Sequence, residues 1–262
     1  MAVRVRFTRL VDDAIAASTA FSEVQEAVVK SQASVAERLK EDLPSRERLA
    51  LAEVQKLLQE QKGVADSLVA AESPAEAASL WEGEMRFFLA ADKASFRCSC
   101  AGKHMPVGYE YNPRSILPAS ECGRRLRRTF ADTFGGSSRR ERPPALLISG
   151  LDSIAKTDLV QDICSMLGSA PVVVKGSTAP DTDTFWSRVL LATRASSGGS
   201  PMALVIVEDA HLAQRSVLEA AGQAAKEQPV LMCYTVNPEV STEFKVEDAV
   251  GGTFARFEAA PP

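Results

Sequence analysis

From residue 145 onward, short apolar runs alternate with amphipathic segments, and this alternation constrains the fold more than any other feature. The apolar runs are predicted strands, and they lie at 145–148, 171–174, 203–207 and 230–234. The segments between them are predicted helices, and they lie at 157–167, 185–194 and 214–226. Short apolar strands that alternate with helices of about ten residues are typical of a parallel sheet covered on both faces. We therefore predict an α/β fold for this part of the chain.

The first part of the chain has a different texture. Between residues 7 and 70 it contains a single Pro, Pro44, and a single Gly, Gly63. Apolar residues recur there at the three- and four-residue spacing of one helix face, most clearly at Val54, Leu57, Leu58, Val64 and Leu68. We predict two or three amphipathic helices with a break at 42–45, and we interpret the apolar stripes as packing faces. A further short helix is expected over 81–90.

These textures predict three parts: a helical segment at 1–92, a β-hairpin and Arg-rich connecting segment at 93–144, and the α/β part at 145–262. The hairpin is indicated by alternating Phe96, Cys98 and Cys100 and by a turn near Gly102. Four residues of this region were weighed as a zinc site, namely Cys98, Cys100, His104 and Cys122. Because C-x-C is a poor spacing for zinc, we favour buried packing residues.

Composition excludes several functional classes. The 30 basic and 34 acidic residues of the 262-residue chain leave a net charge of only −4, which argues against nucleic acid as a partner. No apolar run reaches the roughly 18 residues of a membrane helix, and the N-terminus lacks the apolar core of a signal peptide. Five cysteines, an odd number, fit a reducing compartment better than a disulfide framework. We therefore expect a soluble cytoplasmic protein without a membrane partner.

Arginines are concentrated in one stretch, at positions 124, 125, 127, 128, 139, 140 and 142. A solvated face is the simplest interpretation of this cluster. Contact with an acidic partner is the alternative. Aromatic residues are not interleaved with these arginines, which weakens a third interpretation as a nucleic-acid surface.

A phosphate-binding loop is indicated where the first α/β strand meets its helix. Gly150, Lys156 and Thr157 stand at the spacing of G-x-x-x-x-G-K-[ST], in which backbone N–H groups, the Lys and the hydroxyl hold phosphates and Mg²⁺. The second glycine of the pattern is replaced by Ala155, whose methyl group takes space beside the phosphate. Asp152 adds negative charge to the loop. The candidate nucleotide site is thus Gly150, Ala155, Lys156 and Thr157.

Acidic and amide residues follow two of the other predicted strands. Glu208 and Asp209 end the third strand. P-loop ATPases place one acid there for Mg²⁺ and a second acid that polarises water. Their usual order is Asp-Glu, whereas this chain has Glu-Asp. Asn237 follows the fourth strand, in position for a γ-phosphate or the attacking water. Since strand ends of a parallel sheet converge on one crevice, we predict a magnesium site at Thr157 and Glu208. His211 is interpreted as an exposed or capping residue rather than part of this site.

Further segments resemble the dynein heavy chain family, at the end of its linker and in its first AAA+ module. The resemblance runs in order over roughly 40–257 with weak identity. It is carried by DL at 42–43 before a helix (D-L-x-K-L-x-R), LWEGEMRFF at 80–88 (W-x-x-Q-L-R-Y-Y), GYEY at 108–111 (G-Y-E-Y-L), 116–129 (I-T-P-L-T-D-R-C-Y-x-T-L), TVNP at 235–238 (T-M-N-P) and 247–256 (P-D-N-L-K-x-L-F-R-P).

The resemblance implies an AAA+-type P-loop ATPase that binds ATP or ADP with Mg²⁺. It also implies tubulin or other axonemal partners and a place in the cytoskeleton of a cilium or flagellum. In the family a neighbouring module donates an arginine finger in trans, worth about 10³–10⁵ in rate. Ala155 and the Glu208-Asp209 order depart from the family pattern, so we expect negligible hydrolysis by these residues alone.

The sequence therefore leaves three functions open. The leading one is a degenerate, non-hydrolysing AAA+ module that serves as a structural or adaptor part, with no cofactor required. The second is a switch set by bound ATP or ADP. Retention of Lys156, Thr157 and Asn237 favours this function and the third one. The third is an ATPase subunit completed by a partner's arginine finger.

Overall fold

The computed structural model describes residues 1–90, 95–108, 120–135, 145–151, 155–178, 181–197, 203–240 and 245–259. The chain forms two compact units. The helical unit comprises 1–102 with 113–120, and the α/β unit comprises 103–112 with 121–262. Within the described ranges, no helix is both long enough and apolar enough to cross a membrane.

Long amphipathic helices form the helical unit. They are α1 (Ala2–Ala17), α2 (Phe21–Leu39), α3 (Ser45–Val69) and α4 (Pro74–Glu82). The predicted break at 42–45 is confirmed, because α2 ends at Leu39 and Pro44 directly precedes α3. The apolar stripes are packing faces, as predicted: Val11, Val28, Leu68 and Trp81 are buried in one core.

The helix predicted over 81–90 is wrong. Helix α4 begins after Ser73, whose Oγ accepts the Glu76 N–H at 3.2 Å, and it ends at Glu82 before Gly83. The next residues form strand β1 (Arg86–Leu89), which pairs antiparallel with β2 (Phe96–Cys100). The Phe87 N–H of β1 donates to the buried Thr8 Oγ1 at 2.9 Å. Burial alternates along β1, as is typical of a strand. The helical residues directly before β1 made this pattern difficult to detect in the sequence.

The turn predicted near Gly102 is confirmed. Ala101 and Gly102 both have positive φ, 49° and 74°, as a two-residue hairpin turn requires. The chain then enters the α/β unit through strand β3 (Lys103–Pro106), and helix α5 (Glu121–Phe134) follows further along.

A five-stranded parallel sheet organises the described part of the α/β unit. Its strands are β4 (Ala145–Ser149), β5 (Val172–Lys175), β6 (Leu204–Glu208), β7 (Leu231–Val236) and β8 (Phe254–Glu258), in the order β5-β6-β7-β4-β8. All the pairings in this sheet are parallel. The predicted strands are confirmed, whereas β8 was not predicted as a strand. This sheet fits the predicted AAA+-type P-loop α/β fold.

Helices cover both faces of the sheet. One face packs on α7 (Thr182–Ser197), α8 (Arg215–Glu227) and α9 (Val246–Val250), with Tyr234 of β7 wholly buried among them. Cys233 points to the opposite face, because successive strand side chains alternate. There it lies near Cys164 of α6 (Lys156–Met166), and burial together with this neighbour raises the pKa of the Cys233 thiol. Both cysteines are packing residues.

Candidate functional site

The carboxyl ends of β4, β6 and β7 lie at one edge of the sheet, which we call the carboxyl edge. Ser149 at the end of β4 is in register with Val236 at the end of β7, and Lys175 of β5 is in register with Glu208 of β6. The Gly150 N–H donates to the Val236 carbonyl at 3.1 Å. The topology thus places the predicted nucleotide loop and the predicted acidic and amide segments along the same edge.

Lys156 is the first residue of α6, and its side chain turns back on the loop. The residue is only 5% exposed. Its Nζ donates to the carbonyl oxygens of Gly150 and Leu151, each at 2.8 Å. Charge-assisted bonds of this kind are each worth about 1.5–3 kcal/mol. The ammonium that would face a phosphate is therefore held by the loop's own backbone.

The other loop residues differ in how they bear on phosphate binding. Ala155 precedes α6 with φ −68°, a conformation open to any residue, so glycine is not needed there for the backbone. Thr157 is partly exposed at the second position of α6. The N-terminus of this helix favours an anion. Asp152 lies outside the residues that the structure describes.

The acidic pair stands where β6 ends. Glu208 has a side chain 24% exposed, and its Oε2 lies 3.9 Å from Lys175 Nζ. Asp209 has left the strand and adopts φ 49°, the left-handed region in which Asp is tolerated better than Glu. Gly176 lies so close to this turn that an added Cβ would be 2.3 Å from the Asp209 carbonyl oxygen. The Glu-Asp order therefore has a structural reason, because the second acid makes the turn.

A buried hydroxyl holds the same turn from the neighbouring strand. Thr235 of β7 has no exposed surface, and its Oγ1 accepts the Asp209 N–H at 3.0 Å. The contact joins residues that are 26 positions apart in the chain. Sequence reasoning did not assign Thr235 a role. Its only sequence signal was a hydroxyl residue within an otherwise apolar strand.

Asn237 and His211 are linked. Asn237 is 8% exposed, and its Oδ1 accepts the Glu239 N–H at 3.0 Å, which closes a local turn. The Asn237 N–H donates to His211 Nδ1 at 3.3 Å. With Nδ1 accepting, the neutral imidazole carries its proton on Nε2. His211 is 9% exposed, so the prediction of an exposed residue is wrong, and the capping alternative stays a prediction.

Two charged side chains of the candidate site are engaged by other residues of the described chain. The Lys156 ammonium points at backbone carbonyls, and Glu208 faces the Lys175 ammonium. A nucleotide would require Lys156 to exchange two loop carbonyls for phosphate oxygens. The groups that would hold Mg²⁺ are oxygens of Thr157 and Glu208, which are the ligand type that this ion prefers.

Part of the arginine cluster is packed, whereas Cys98 and Cys100 are buried as predicted. Arg127 of α5 is 6% exposed and is packed rather than solvated, whereas Arg125 is exposed, with its guanidinium 5.7 Å from the centroid of the Phe257 ring. Cys98 and Cys100 are fully buried. The described part of the chain contains no cluster of three or more metal-ligating side chains. The remaining arginines at 139, 140 and 142 lie outside the described residues, as does most of GYEY.

No family model and no curated protein matches the chain. Among solved structures it is similar to the RuvB Holliday junction branch migration motor of Thermotoga maritima, at 16% identity and a TM-score of 0.29. The match covers 38% of this chain and 32% of the RuvB chain. A TM-score this low carries no argument about function. None of these comparisons supports a dynein in particular.

Proposed function

We propose that this chain is a dynein-related, degenerate AAA+-type module that serves as a non-hydrolysing structural or adaptor component of a microtubule-based assembly in a cilium or flagellum. The observation that carries its non-hydrolysing character is the position of Lys156, whose buried ammonium is taken by the Gly150 and Leu151 carbonyls. Asp209 supports the same conclusion, because its left-handed backbone departs from the strand in which the water-polarising acid is expected. The dynein relation and the ciliary setting rest on the sequence resemblance alone.

Nucleotide titration tests this proposal. The purified chain is titrated with fluorescent ADP and ATP, with and without Mg²⁺, beside Lys156→Ala and the control Lys226→Ala, which alters an exposed lysine of α8. We expect no saturable binding up to millimolar nucleotide in any of the three. We also expect steady-state ATP hydrolysis below about 0.1 s⁻¹, which lies under the usual range for enzymes. Faster hydrolysis that Lys156→Ala abolishes would overturn the proposal.

A second function, a nucleotide-binding switch, is favoured by one specific observation. Because the Asn237 Oδ1 is held by the Glu239 N–H, the amide nitrogen of Asn237 is the end of the side chain left to donate to a phosphate. Micromolar binding that requires Mg²⁺, is lost in Lys156→Ala and is retained in Lys226→Ala would establish this function instead. Asn237→Ala would then weaken ATP more than ADP.

The tubulin partner is proposed from the exposed side of the arginine cluster. Arg125 is exposed, and Arg124 and Arg128 are partly exposed, whereas Arg127 is buried and its replacement would disturb packing instead. Co-sedimentation with microtubules should fall several-fold when the three accessible arginines are changed to Gln. The matched control changes Arg188 and Arg194, two exposed arginines of α7. Equal sedimentation of all variants would remove tubulin as the partner.

A further inference from the structure

The helical unit contains a groove lined by α1, α2 and α3, with a volume of about 600 Å³. Its floor is formed by buried apolar side chains, namely Phe7, Val28 and Leu58. Val3, Leu10, Val35 and Val54, all partly buried, also line it. We call this feature the α1–α3 groove.

The polar group at the floor of the groove is already satisfied. Gln61 is 5% exposed, and its Nε2 donates to the Val3 carbonyl at 3.3 Å. An occupant therefore has no buried donor to satisfy at that position. What the floor offers is apolar contact, which stabilises a complex in proportion to the apolar area removed from water.

Two cations line the α1–α3 groove from different helices. Arg6 belongs to α1 and Lys30 to α2, and both are exposed. Neither makes a hydrogen bond or an ion pair with any residue that the structure describes. Other cations of the same unit do form ion pairs, as Arg4–Glu60, Arg9–Asp13, Arg38–Glu41, Lys40–Glu37, Lys56–Glu53 and Lys62–Asp66. Both cations that line the apolar groove are therefore uncompensated within the described residues, as is the exposed Arg46 of α3.

The dimensions of the groove suit a helix. Its lining extends from Val3 to Leu10 on α1 and from Ala27 to Val35 on α2, about 10–12 Å along each helix axis. That length matches two turns of a docked helix, whose anchors would stand at i, i+3, i+4 and i+7. A helix in this position would add a fourth helix to α1, α2 and α3, with flanking acids against Arg6 and Lys30.

We propose that the α1–α3 groove binds an acidic amphipathic helix of a partner protein. Apolar anchors of that helix contact Phe7, Val28 and Leu58, and its carboxylates pair with Arg6 and Lys30. This interaction is independent of the nucleotide question at the carboxyl edge, because it involves only residues of the helical unit.

The test uses a labelled peptide of about sixteen residues, with Leu at the anchor spacing and Glu at the flanking positions. A second peptide has Lys in place of every Glu. Fluorescence anisotropy with the full chain should show saturable binding of the acidic peptide and at least tenfold weaker binding of the basic one. No binding of the acidic peptide, or equal binding of both, would overturn the proposal.

Matched variants locate the binding site. Arg6→Glu combined with Lys30→Glu should weaken the acidic peptide about tenfold, because two exposed pairs become like-charge contacts. The control combines Arg9→Glu on α1 and Lys40→Glu directly after α2, which reverse two exposed charges outside the groove, and should change affinity less than twofold. Equal weakening by the control would show a general charge effect and would contradict the groove.

Ser34→Trp provides a test that does not involve charge. Ser34 is exposed and lines the groove, so a bulky side chain there should block the peptide while the core stays intact. Unchanged helical circular dichroism would confirm that the helices remain folded. Retained peptide binding in this variant would contradict the proposal. Saturable binding of dodecanoate without binding of the acidic peptide would also overturn it, in favour of a small anionic amphiphile.

Discussion

At the carboxyl edge of the sheet, Lys156, Glu208 and Asn237 each have a partner within the chain, whereas Arg6 and Lys30 beside the α1–α3 groove have none among the described residues. The edge is where the sequence carries its motif, and the groove lies in helices whose stripes predicted only packing. A motif records which side chains are present, but it does not show whether those side chains are already engaged. Two uncompensated cations of this molecule line an apolar groove that lies away from its motif.

Substitution of a core leucine in each unit should have the largest effect on stability. It tests whether the helical unit and the α/β unit have independent cores. Leu68 in the helical unit and Leu218 in the α/β unit are both buried leucines on helices, 2% and 0% exposed. Leu→Ala at either site should cost about 2–5 kcal/mol. The two tryptophans of the chain, Trp81 and Trp186, lie one in each unit and report on them separately. In urea unfolding, each variant should shift the transition of its own tryptophan more.

Variants with a single tryptophan allow the unfolding of each unit to be followed separately. Trp81→Phe leaves Trp186 as the reporter, and Trp186→Phe leaves Trp81. Equal shifts of both transitions by Leu68→Ala and by Leu218→Ala would show that the chain unfolds as one cooperative body. The carboxyl edge and the α1–α3 groove would then belong to one cooperative folding unit rather than to two.

A glycine substitution probes the carboxyl edge next. The Cβ of Gly176→Ala would stand 2.3 Å from the Asp209 carbonyl oxygen, which belongs to the backbone and cannot simply rotate away. We expect a loss of about 3 kcal/mol, reported by Trp186 in urea unfolding. Gly252→Ala is the control, because a Cβ there meets nothing within 4 Å. Similar midpoints for the two variants would show that the turn at Asp209 is not tightly held.

Removal of the Thr235 hydroxyl also tests how the turn at Asp209 is held, and it should have a smaller effect on stability. Thr235→Val keeps the side-chain shape but leaves the Asp209 N–H without its acceptor. An unsatisfied backbone N–H at this depth should cost about 1–2 kcal/mol. Thr193→Val on α7 is the control, because its hydroxyl is exposed. If both variants lose equal stability, the Thr235 bond does not hold the turn.

Elements that depend on neighbouring residues were predictable from the sequence, whereas elements that depend on tertiary contacts were not. Strands β4 to β7 and helix α6 were predictable, because apolar runs bounded by polar segments depend on neighbouring residues. Strand β1 was taken for helix because the Trp81 helix precedes it within a few residues. Strand β8 was missed because FARFE is a short alternating segment after a small helix. In each case tertiary pairing overrides a weak local pattern.

The candidate site divides in the same way. Its positions were predictable, since strand ends of a parallel sheet converge whatever the loops do. The engagement of Lys156 by carbonyls of its own loop was not, because motif spacing says nothing of rotamers. The contacts of Thr235 with Asp209 and of His211 with Asn237 each join residues 26 positions apart. Spacing of that length carries no periodic signal, so these bonds are visible only in the fold.

The smallest effect concerns a paired charge in the helical unit, for contrast with unpaired Arg6 and Lys30. Hydrogen bonds from Lys62 and then from Gln25 lower the pKa of Asp66 below its usual value. A lowered pKa means that the contribution is present above the unfolded pKa of about 3.9 and is lost as pH falls through the folded value. The pair is more than a third exposed, so solvent screening leaves only a few tenths of a kcal/mol, about 0.3–0.5.

Asp66→Asn should therefore lower the urea midpoint of the Trp81 transition slightly at pH 7, and the difference from the original chain should shrink as pH falls below the unfolded pKa of about 3.9. Added salt should reduce it at pH 7, because the pair is exposed. Asp13→Asn removes the partner of Arg9 in a pair that is far more exposed, 83% and 72%, and should have no measurable effect. A difference that persists at low pH would assign the role of Asp66 to packing rather than charge. The paired cations of this unit would then be no better compensated than Arg6 and Lys30, and the contrast would fail.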